Sequence, residues 1–479
     1  SFSTNTGKKQ SNQTYLNKIR NITKIQNILE KLMIPQNEIM FCEHHLAHAA
    51  TAYYLSPWGF EQEVLIITAD AAGDGLSSTV SIGHRGKISR IENSESNYYD
   101  SVGYCFYGQI TKFLGMKIND HEYKVMGLAP YGNPILTIDK MKEIIDIDEN
   151  NPLKFKNKMG SFHPNIQQTF WKLLGDQRFD NIAAGAQAWF EKIITKWIHN
   201  AIKETNIHKI ACAGGNFLNV KANKKILDMD EVEDIFICPA SGDEGIAVGA
   251  ALVGYNEALF RDGIKPEKIP LEDVYFGTSF DNESIKESIT KYDLLEKAEF
   301  FDEIDQEVGE KLSKSDNIIA RFNGQMEWGP RGLGNRSILA NPSNPKVVKK
   351  INHAIKMRDF WMPFGPTILE ERMAEYLELP KKSPYMIMAF NTTQKRKDII
   401  ATIHPSDNTC RPQTVSKLHN SKYVNVIKEF ESKTGVGALL NTSFNLHGFP
   451  IVYNPEIAIE TFQNSKLDYL ALGNYLISK

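Results

Sequence analysis

The stretch Val64-Leu65-Ile66-Ile67-Thr68 decides the fold. Four aliphatic residues and a threonine without alternation describe a strand buried on both faces, and it runs out at Asp70. Thr79 to Ile82 and Lys87 to Ile91 continue as strands around a turn at His84-Arg85-Gly86, which predicts a meander. Upstream, Glu43 to Leu55 reads as an alanine-rich helix stopped before Pro57. Downstream, residues 181–204 carry a long amphipathic helix. Two strand–turn–helix units follow: Lys209 to Ala213 into Gly214-Gly215-Asn216, and Ile235 to Cys238 into Pro239-Ala240-Ser241-Gly242-Asp243. This is an α/β layout.

Around residues 262–278 the chain turns rich in proline and charge, which marks a linker. Beyond it the pattern predicts a helix at 303–314, a strand at 317–322, a helix at 345–355 and strands near 384–390 and 436–440. A helix at 455–463 and one last strand near 468–476 complete it. Two α/β domains, 36–265 and 268–479, are expected after an N-terminal tail and helix at 1–35, where Leu16, Ile19, Ile22, Ile25, Leu29 and Leu32 recur at helical spacing. The 479 residues suit two to four domains.

A composition of 42% hydrophobic and 24% charged residues excludes wholesale disorder. Formal charge is −3, from 55 basic and 58 acidic residues, which disfavours nucleic-acid binding through bulk positive charge. No apolar run approaches the ~18 residues of a membrane span, and no signal peptide is visible. Cys42, Cys105, Cys212, Cys238 and Cys410 are scattered without a CxxC pair. That argues against a thiolate zinc site, and a reducing cytoplasm is the expected location.

His44 and His48 stand four apart on the predicted helix, the spacing that offers two imidazoles to one divalent ion. Asp70 ends an apolar strand and Asp243 holds the same topological position after Cys238-Pro239, so both carboxylates point to one crevice. Two histidines and two carboxylates suit iron(II), manganese or zinc. His45 points to another face. Gly214, Gly215, Asn216, Asn219 and Gly242 lie where strands open into helices, positions whose amides favour a nucleotide phosphate. Lys124, in Glu122-Tyr123-Lys124-Val125-Met126-Gly127-Leu128-Ala129, is placed to reach a phosphate or acyl oxygen. A second anion site is expected from Arg331 and Arg336 in Gly329-Pro330-Arg331-Gly332-Leu333-Gly334-Asn335-Arg336-Ser337, with Lys356, Arg358 and Arg411. Asn441-Thr442-Ser443-Phe444-Asn445 supplies small donors, Ser443 and Asn445 among them. So many cations in glycine- and proline-rich contexts call for an anionic ligand.

The tandem glycine turns behind a three-strand meander resemble the nucleotide-binding half of an actin-like ATPase. Four motifs in order resemble the NodU/CmcH family of O-carbamoyltransferases: Glu43-His44-His45-Leu46-Ala47-His48-Ala49, the run from Glu122 to Gly132, the run from Gly329 to Ser337, and Asn441 to Asn445. The resemblance runs from about residue 40 onward. It implies an actin-like (ASKHA) metal-binding domain followed by a YrdC-like domain. The second would condense carbamoyl phosphate with ATP to carbamoyl-adenylate and pyrophosphate, with Mg2+ accompanying ATP. The first would pass the carbamoyl group to a hydroxyl of a sugar or natural product. By this resemblance His44, His48, Asp70 and Asp243 fall on iron-binding positions, so iron(II) is the expected metal. Asp70 and Lys124 would act in catalysis. Lys356-x-Arg358 and Ser443-x-Asn445 resemble the KxR…SxN signature of YrdC-like domains. The implied class is a carbamoyltransferase of EC 2.1.3 type.

Two departures stand out. Residues 1–35 do not resemble the glycine-containing strand and His-Asp pair with which family members commonly start, so the first β-meander of the actin-like domain is expected to be absent. That absence would expose the strand Val64 to Thr68 at a sheet edge. Met362 stands where many relatives carry Arg. Two other activities compete: a tRNA-modifying enzyme making threonylcarbamoyl-adenylate, which needs a strongly basic surface, and an actin-like ATPase or sugar kinase, which leaves KxR…SxN unexplained. A catalytically inactive binding protein is the third alternative.

Overall fold

Strand β1 (Val64–Gly73) is the spine of the first of two large sheets. The computed structural model describes residues 28–33, 40–160, 166–314 and 316–479. Residues 28–31 are helical, and the rest of the expected N-terminal helix lies outside the described residues. The chain forms two compact units, Ser1–Glu43 and His44–Lys479, and both sheets belong to the second.

β2 (Leu76–His84) and β3 (Lys87–Arg90) return antiparallel from β1, and the short β4 (Ser96–Asn97) pairs with β2. A separate hairpin, β5 (Ile145–Asp148) and β6 (Asn151–Asn157), follows. β7 (Lys209–Ala213) and β8 (Asp234–Ile237) then lie parallel to β1, giving the order β3-β2-β1-β7-β8. The expected edge exposure of Val64 to Thr68 is not seen. β2 and β7 flank that stretch, and every residue from Val64 to Thr68 is buried. The exposed edge falls instead to β3, whose outward Lys87 and Ser89 discourage further strand pairing. Helix His44–Leu55 covers the sheet and packs against helix Ile246–Arg261, and the long helix Phe179–Thr205 forms where the periodicity predicts it.

The linker 262–278 holds no helix or strand. Lys268 pins it: its ammonium donates to the Tyr53 carbonyl and to Ser56 Oγ at 3.1 Å, with the Tyr53 and Phe60 rings each 5.0 Å away. Burial pushes this amine down to about 7.

The second sheet is built from β9 (Ala298–Phe300), β10 (Ile318–Phe322), β11 (Arg336–Ala340), β12 (Gly365–Leu369), β15 (Gln413–Val415), β16 (Ala438–Ser443), β17 (Tyr469–Leu472) and β18 (Tyr475–Ser478). Two-residue strands β13 (Phe390–Asn391) and β14 (Thr409–Cys410) pair apart from it. Its order is β15-β12-β16-β11-β10-β17-β18-β9, with parallel and antiparallel pairs mixed. Three expectations need correction. The strand near 384–390 is confined to β13, because Met386 adopts φ +54 and breaks the extended run. The single last strand is a hairpin, since Gly473 at φ +56 turns the chain between Leu472 and Tyr475. An unpredicted helix, Lys417–Thr434, presses Tyr423, Val424, Val426, Ile427 and Phe430 inward and packs on helix Ile304–Ser313.

Candidate active site

The first turn of helix His44–Leu55 delivers two imidazoles to the end of β1. The β1–β2 ladder is interrupted between Ala69 and Gly73, so Asp70 leaves the register. Gly73 makes the approach possible, because a Cβ there would lie 2.0 Å from His44 Cγ. The His44 amide donates to Asp74 Oδ2 at 3.0 Å, anchoring the helix start.

His44 Nε2 lies 3.1 Å from His48 Nε2, 3.3 Å from Asp70 Oδ2 and 3.5 Å from Asp243 Oδ1. His48 Nε2 is 3.5 Å from Asp243 Oδ1 and 3.8 Å from Asp70 Oδ2. The four predicted ligand atoms thus lie within 4.8 Å of one another. Four ligands at about 2.1 Å from a tetrahedral ion sit about 3.4 Å apart, so this quartet fits a divalent cation. Burial lowers His48, but hydrogen bonds to Asp243 and Asp70 outweigh it and the net shift is upward. Burial likewise raises Asp70, yet hydrogen bonds from His44 and His48 hold it well below the carboxylate range. His45 stays out of the group: its Nδ1 meets Thr68 Oγ1 at 2.9 Å.

The glycine turns flank this centre with several amides already engaged. Gly214 N–H donates to the Ser241 carbonyl at 2.8 Å and Gly215 N–H to Asp70 Oδ1 at 2.8 Å. Gly242 N–H reaches Glu244 Oε1 at 3.3 Å. Asn219 caps helix Val220–Leu227 and bonds Gln187. The Asn216 amide nitrogen is buried without a partner among the described residues.

A cavity of about 550 Å³ opens between the two sheets' helices and loops. Tyr123, Met126 and Lys221 line it from one side, and Arg331, Lys356, Arg358, Arg411, Ser443 and Asn445 from the other. Met357 adopts φ +44, a bend that lets Lys356 and Arg358 both enter. Lys356 Nζ, buried, donates to Asn445 Oδ1 at 2.6 Å and Ser443 Oγ at 3.2 Å. Arg358 Nη2 donates to Thr442 Oγ1 at 3.1 Å. The Arg331 and Arg411 guanidinium groups have no hydrogen-bond or ion-pair partner among the described residues. Among the described residues the one carboxylate in the lining, Asp120, is taken by Lys117 at 2.8 Å. Burial pushes Arg331 and Arg358 down to about 10 and holds Lys356 and Arg411 well below their ordinary values, with Arg358 adding to it at Arg331, Lys356 and Arg411. An anion would relieve all four.

Two predicted site residues stand elsewhere. Lys124 pairs with Asp359 at 3.2 Å and is not in the lining. Arg336 is fully buried in β11, donating to the carbonyls of Asn323, Asn335, Thr278 and Gly324 and stacking 3.6 Å over Phe322. Its loop does not cradle an anion with its own amides, because Glu327 Oε1 already accepts from Leu333, Asn335 and Arg336 N–H at 2.7, 2.8 and 3.1 Å. Glu327 therefore shapes the loop that presents Arg331. Replacing it, as Glu327→Ala, strands three buried amides at about 1–3 kcal/mol each, so denaturant unfolding should show a loss of about 3 kcal/mol or more. A loss under about 1 kcal/mol would mean that the loop holds itself.

Residues 1–252 match the family model described as Carbamoyltransferase N-terminus, and residues 310–479 match Carbamoyltransferase C-terminus. The uncharacterized protein MJ1058 of Methanocaldococcus jannaschii is 33% identical over 498 aligned residues, spanning 98% of this chain and 78% of that protein. Nodulation protein NolNO of Sinorhizobium fredii is 33% identical over 452 residues, spanning 93% of this chain and 65% of that protein. The crystal structure of full-length HypF in the phosphate- and nucleotide-bound form aligns at a TM-score of 0.26 and 14% identity, over 46% of this chain and 36% of that one, a likeness too weak to carry an argument. With a family model over more than half of its residues and a relative matched along almost its whole length, the chain belongs to the carbamoyltransferase family and is a transferase.

Proposed function

We propose that the cationic cavity activates a carbamoyl group as its adenylate and that the His44–His48–Asp70–Asp243 centre transfers it to a hydroxyl of a sugar or natural product. The observation that carries this reading is the lining of the cavity: among the described residues it holds five cations, Arg331 and Arg411 of them unpartnered, and one already neutralised carboxylate. Carbamoyl phosphate and ATP are anions of the size and charge such a lining suits. In the proposed sequence water hydrolyses carbamoyl phosphate to carbamate and phosphate, a carbamate oxygen attacks the α-phosphorus of ATP, and pyrophosphate leaves. Lys356, Arg358, Arg331 and Arg411 would carry the charge on the phosphoryl oxygens, while Ser443 and Asn445 hold the Lys356 ammonium in place.

The mixed anhydride hydrolyses readily, so the two sites should be near each other. The loop bearing Arg331 supports this, since a Cβ on Gly329 would lie 3.3 Å from the Pro239 carbonyl, on the segment that leads to Asp243. A divalent ion held by His44, His48, Asp70 and Asp243 would polarise the carbamoyl carbonyl for attack by the alcohol. Iron(II) is the metal we favour, with Mg2+ on ATP. The three-strand meander followed by parallel β7 and β8 supports the actin-like reading of residues 36–265, and the Lys356–Ser443–Asn445 cluster supports the YrdC-like reading of 268–479. No helix among the described residues is long and apolar enough to cross a membrane, and a cytoplasmic setting is part of the proposal. Mass spectrometry of a reaction containing carbamoyl phosphate, ATP and a panel of glycosides should reveal pyrophosphate and an acceptor heavier by one carbamoyl group. ATP left intact in the presence of carbamoyl phosphate would sink the proposal.

A further inference from the structure

Asn445 ties the floor of the cationic cavity to its mouth. Its Oδ1 accepts from Lys356 Nζ and Ser443 Oγ at 2.6 and 2.7 Å, and its Nδ2 donates to the carbonyls of Leu446 and Phe449 at 3.0 and 2.6 Å. Donors at one end and carbonyls at the other fix which way this amide faces. The two carbonyls belong to one tight turn. Phe449 N–H donates to the Leu446 carbonyl at 3.1 Å, and Gly448 takes φ +78 at the third position of the turn. The base of the loop is closed by Val452 N–H on the Phe444 carbonyl at 3.0 Å. The turn is thus held from both sides, yet the Phe449 ring that it presents lines the cavity and is 65% exposed. From the other wall, helix Glu122–Leu128 brings Tyr123, also exposed, with the His121 ring 6.1 Å from it. His121 and His447 lie close enough across the mouth for a charge on one to disfavour a charge on the other.

We propose that Phe449 is a stacking platform for the base of the nucleotide, with Tyr123 across the mouth, and that it makes the cavity select nucleoside triphosphates over base-free polyphosphates. A single exposed aromatic ring on a surface is ordinary. Here two such rings rim a cavity floored by cations, and one of them rides on a turn bonded through Asn445 to Lys356. A nucleoside triphosphate has the same two ends in the same order, a polyanion and a flat π face. The phosphates belong at the floor, because the desolvated Lys356 and Arg358 need negative charge and a neutral base offers none. The base is left at the mouth, where a ring face held by a rigid turn can stack on it with little ordering cost. Asn445 sets the distance between the two ends, since the same side chain holds the ammonium and the turn.

This inference rests on the cavity reading above and deepens it. The test is calorimetric binding of ATP with Mg2+, and of inorganic tripolyphosphate, to the full chain and to two variants of Phe449. The ring is mostly exposed, so replacing it leaves the packing beneath the turn in place. Phe449→Ala should weaken ATP on the order of tenfold to a hundredfold and change tripolyphosphate by less than about twofold, because the second ligand has no base to stack. Phe449→Trp should bind ATP about as tightly as the wild type, and the fluorescence of the added indole should be quenched by ATP and not by tripolyphosphate. Unchanged ATP affinity in Phe449→Ala would overturn the platform, and so would an equal loss for both ligands, which would make the ring a structural part of the turn. With tripolyphosphate still bound by the wild type, either result leaves the cavity reading standing. A wild type that binds neither ligand would end the cavity reading and the platform with it.

Discussion

Lys356→Ala and Arg358→Ala, each in the full chain, should remove most carbamoyl-phosphate-dependent ATP–pyrophosphate exchange. Both side chains are desolvated cations facing a cavity whose lining carboxylate, Asp120, is already paired with Lys117. Truncating one partner of a desolvated anion pair costs about 2–5 kcal/mol, which is about thirty- to several-thousand-fold in the measured rate. Lys356 should show the larger effect, because its loss also removes the ammonium that donates to Ser443 Oγ and to the Asn445 carbonyl and Oδ1. The full chain is needed, since Tyr123, Met126 and Lys221 complete the lining and Asn223 Nδ2 and the Val220 carbonyl bond to Ile387 and Ala389. Exchange that continues unchanged in both variants, with thermal stability preserved, would show that the anion binds elsewhere.

The second large effect concerns metal content. Purified protein should hold about one divalent ion per chain by elemental analysis, and His48→Ala should lose it, with affinity falling on the order of a hundredfold or more. His48 is fully buried, so no water can readily take its place. His45→Ala should keep the ion while losing stability, because the buried His45 ring bonds Thr68 and packs beside the His44 and His48 rings without offering a ligand atom to the quartet. Equal metal in wild type and His48→Ala would end the assignment.

The quartet was legible because it obeys two local periodicities. Residues four apart share a helix face, and residues at strand ends share a crevice, so His44, His48, Asp70 and Asp243 could be grouped before any coordinates. Lys356 and Arg358 were legible for a related reason, a charged pair facing small polar donors at Ser443 and Asn445. Arg336 and Lys124 were not. A cation in a glycine-rich loop looks the same in sequence whether it meets a ligand or backbone carbonyls, and the choice is made by tertiary contacts such as Asn323 O or Asp359. Glu327 gave no signal at all, since one acid between Met326 and Trp328 has no pattern. The helix Lys417–Thr434 was hidden by its polar start and the kink at Asn420, although Tyr423 to Phe430 carry helical spacing.

The position of β17 has a consequence for how the protein is made. β10 sits near the middle of its sheet, yet its parallel neighbour is β17, about 150 residues later in the chain, and β9 finds its partner only in β18. During synthesis β10 and β11 therefore leave the ribosome with one long apolar edge uncovered until residues 469–478 have emerged. The meander β1 to β3, whose neighbours are close in sequence, can assemble long before. A nascent chain halted before residue 469 would hold a finished helix His44–Leu55 and meander beside an unsealed second sheet. Chaperone dependence and aggregation should therefore track the second half of the chain, and stop codons in its last strands should be as damaging as those much earlier.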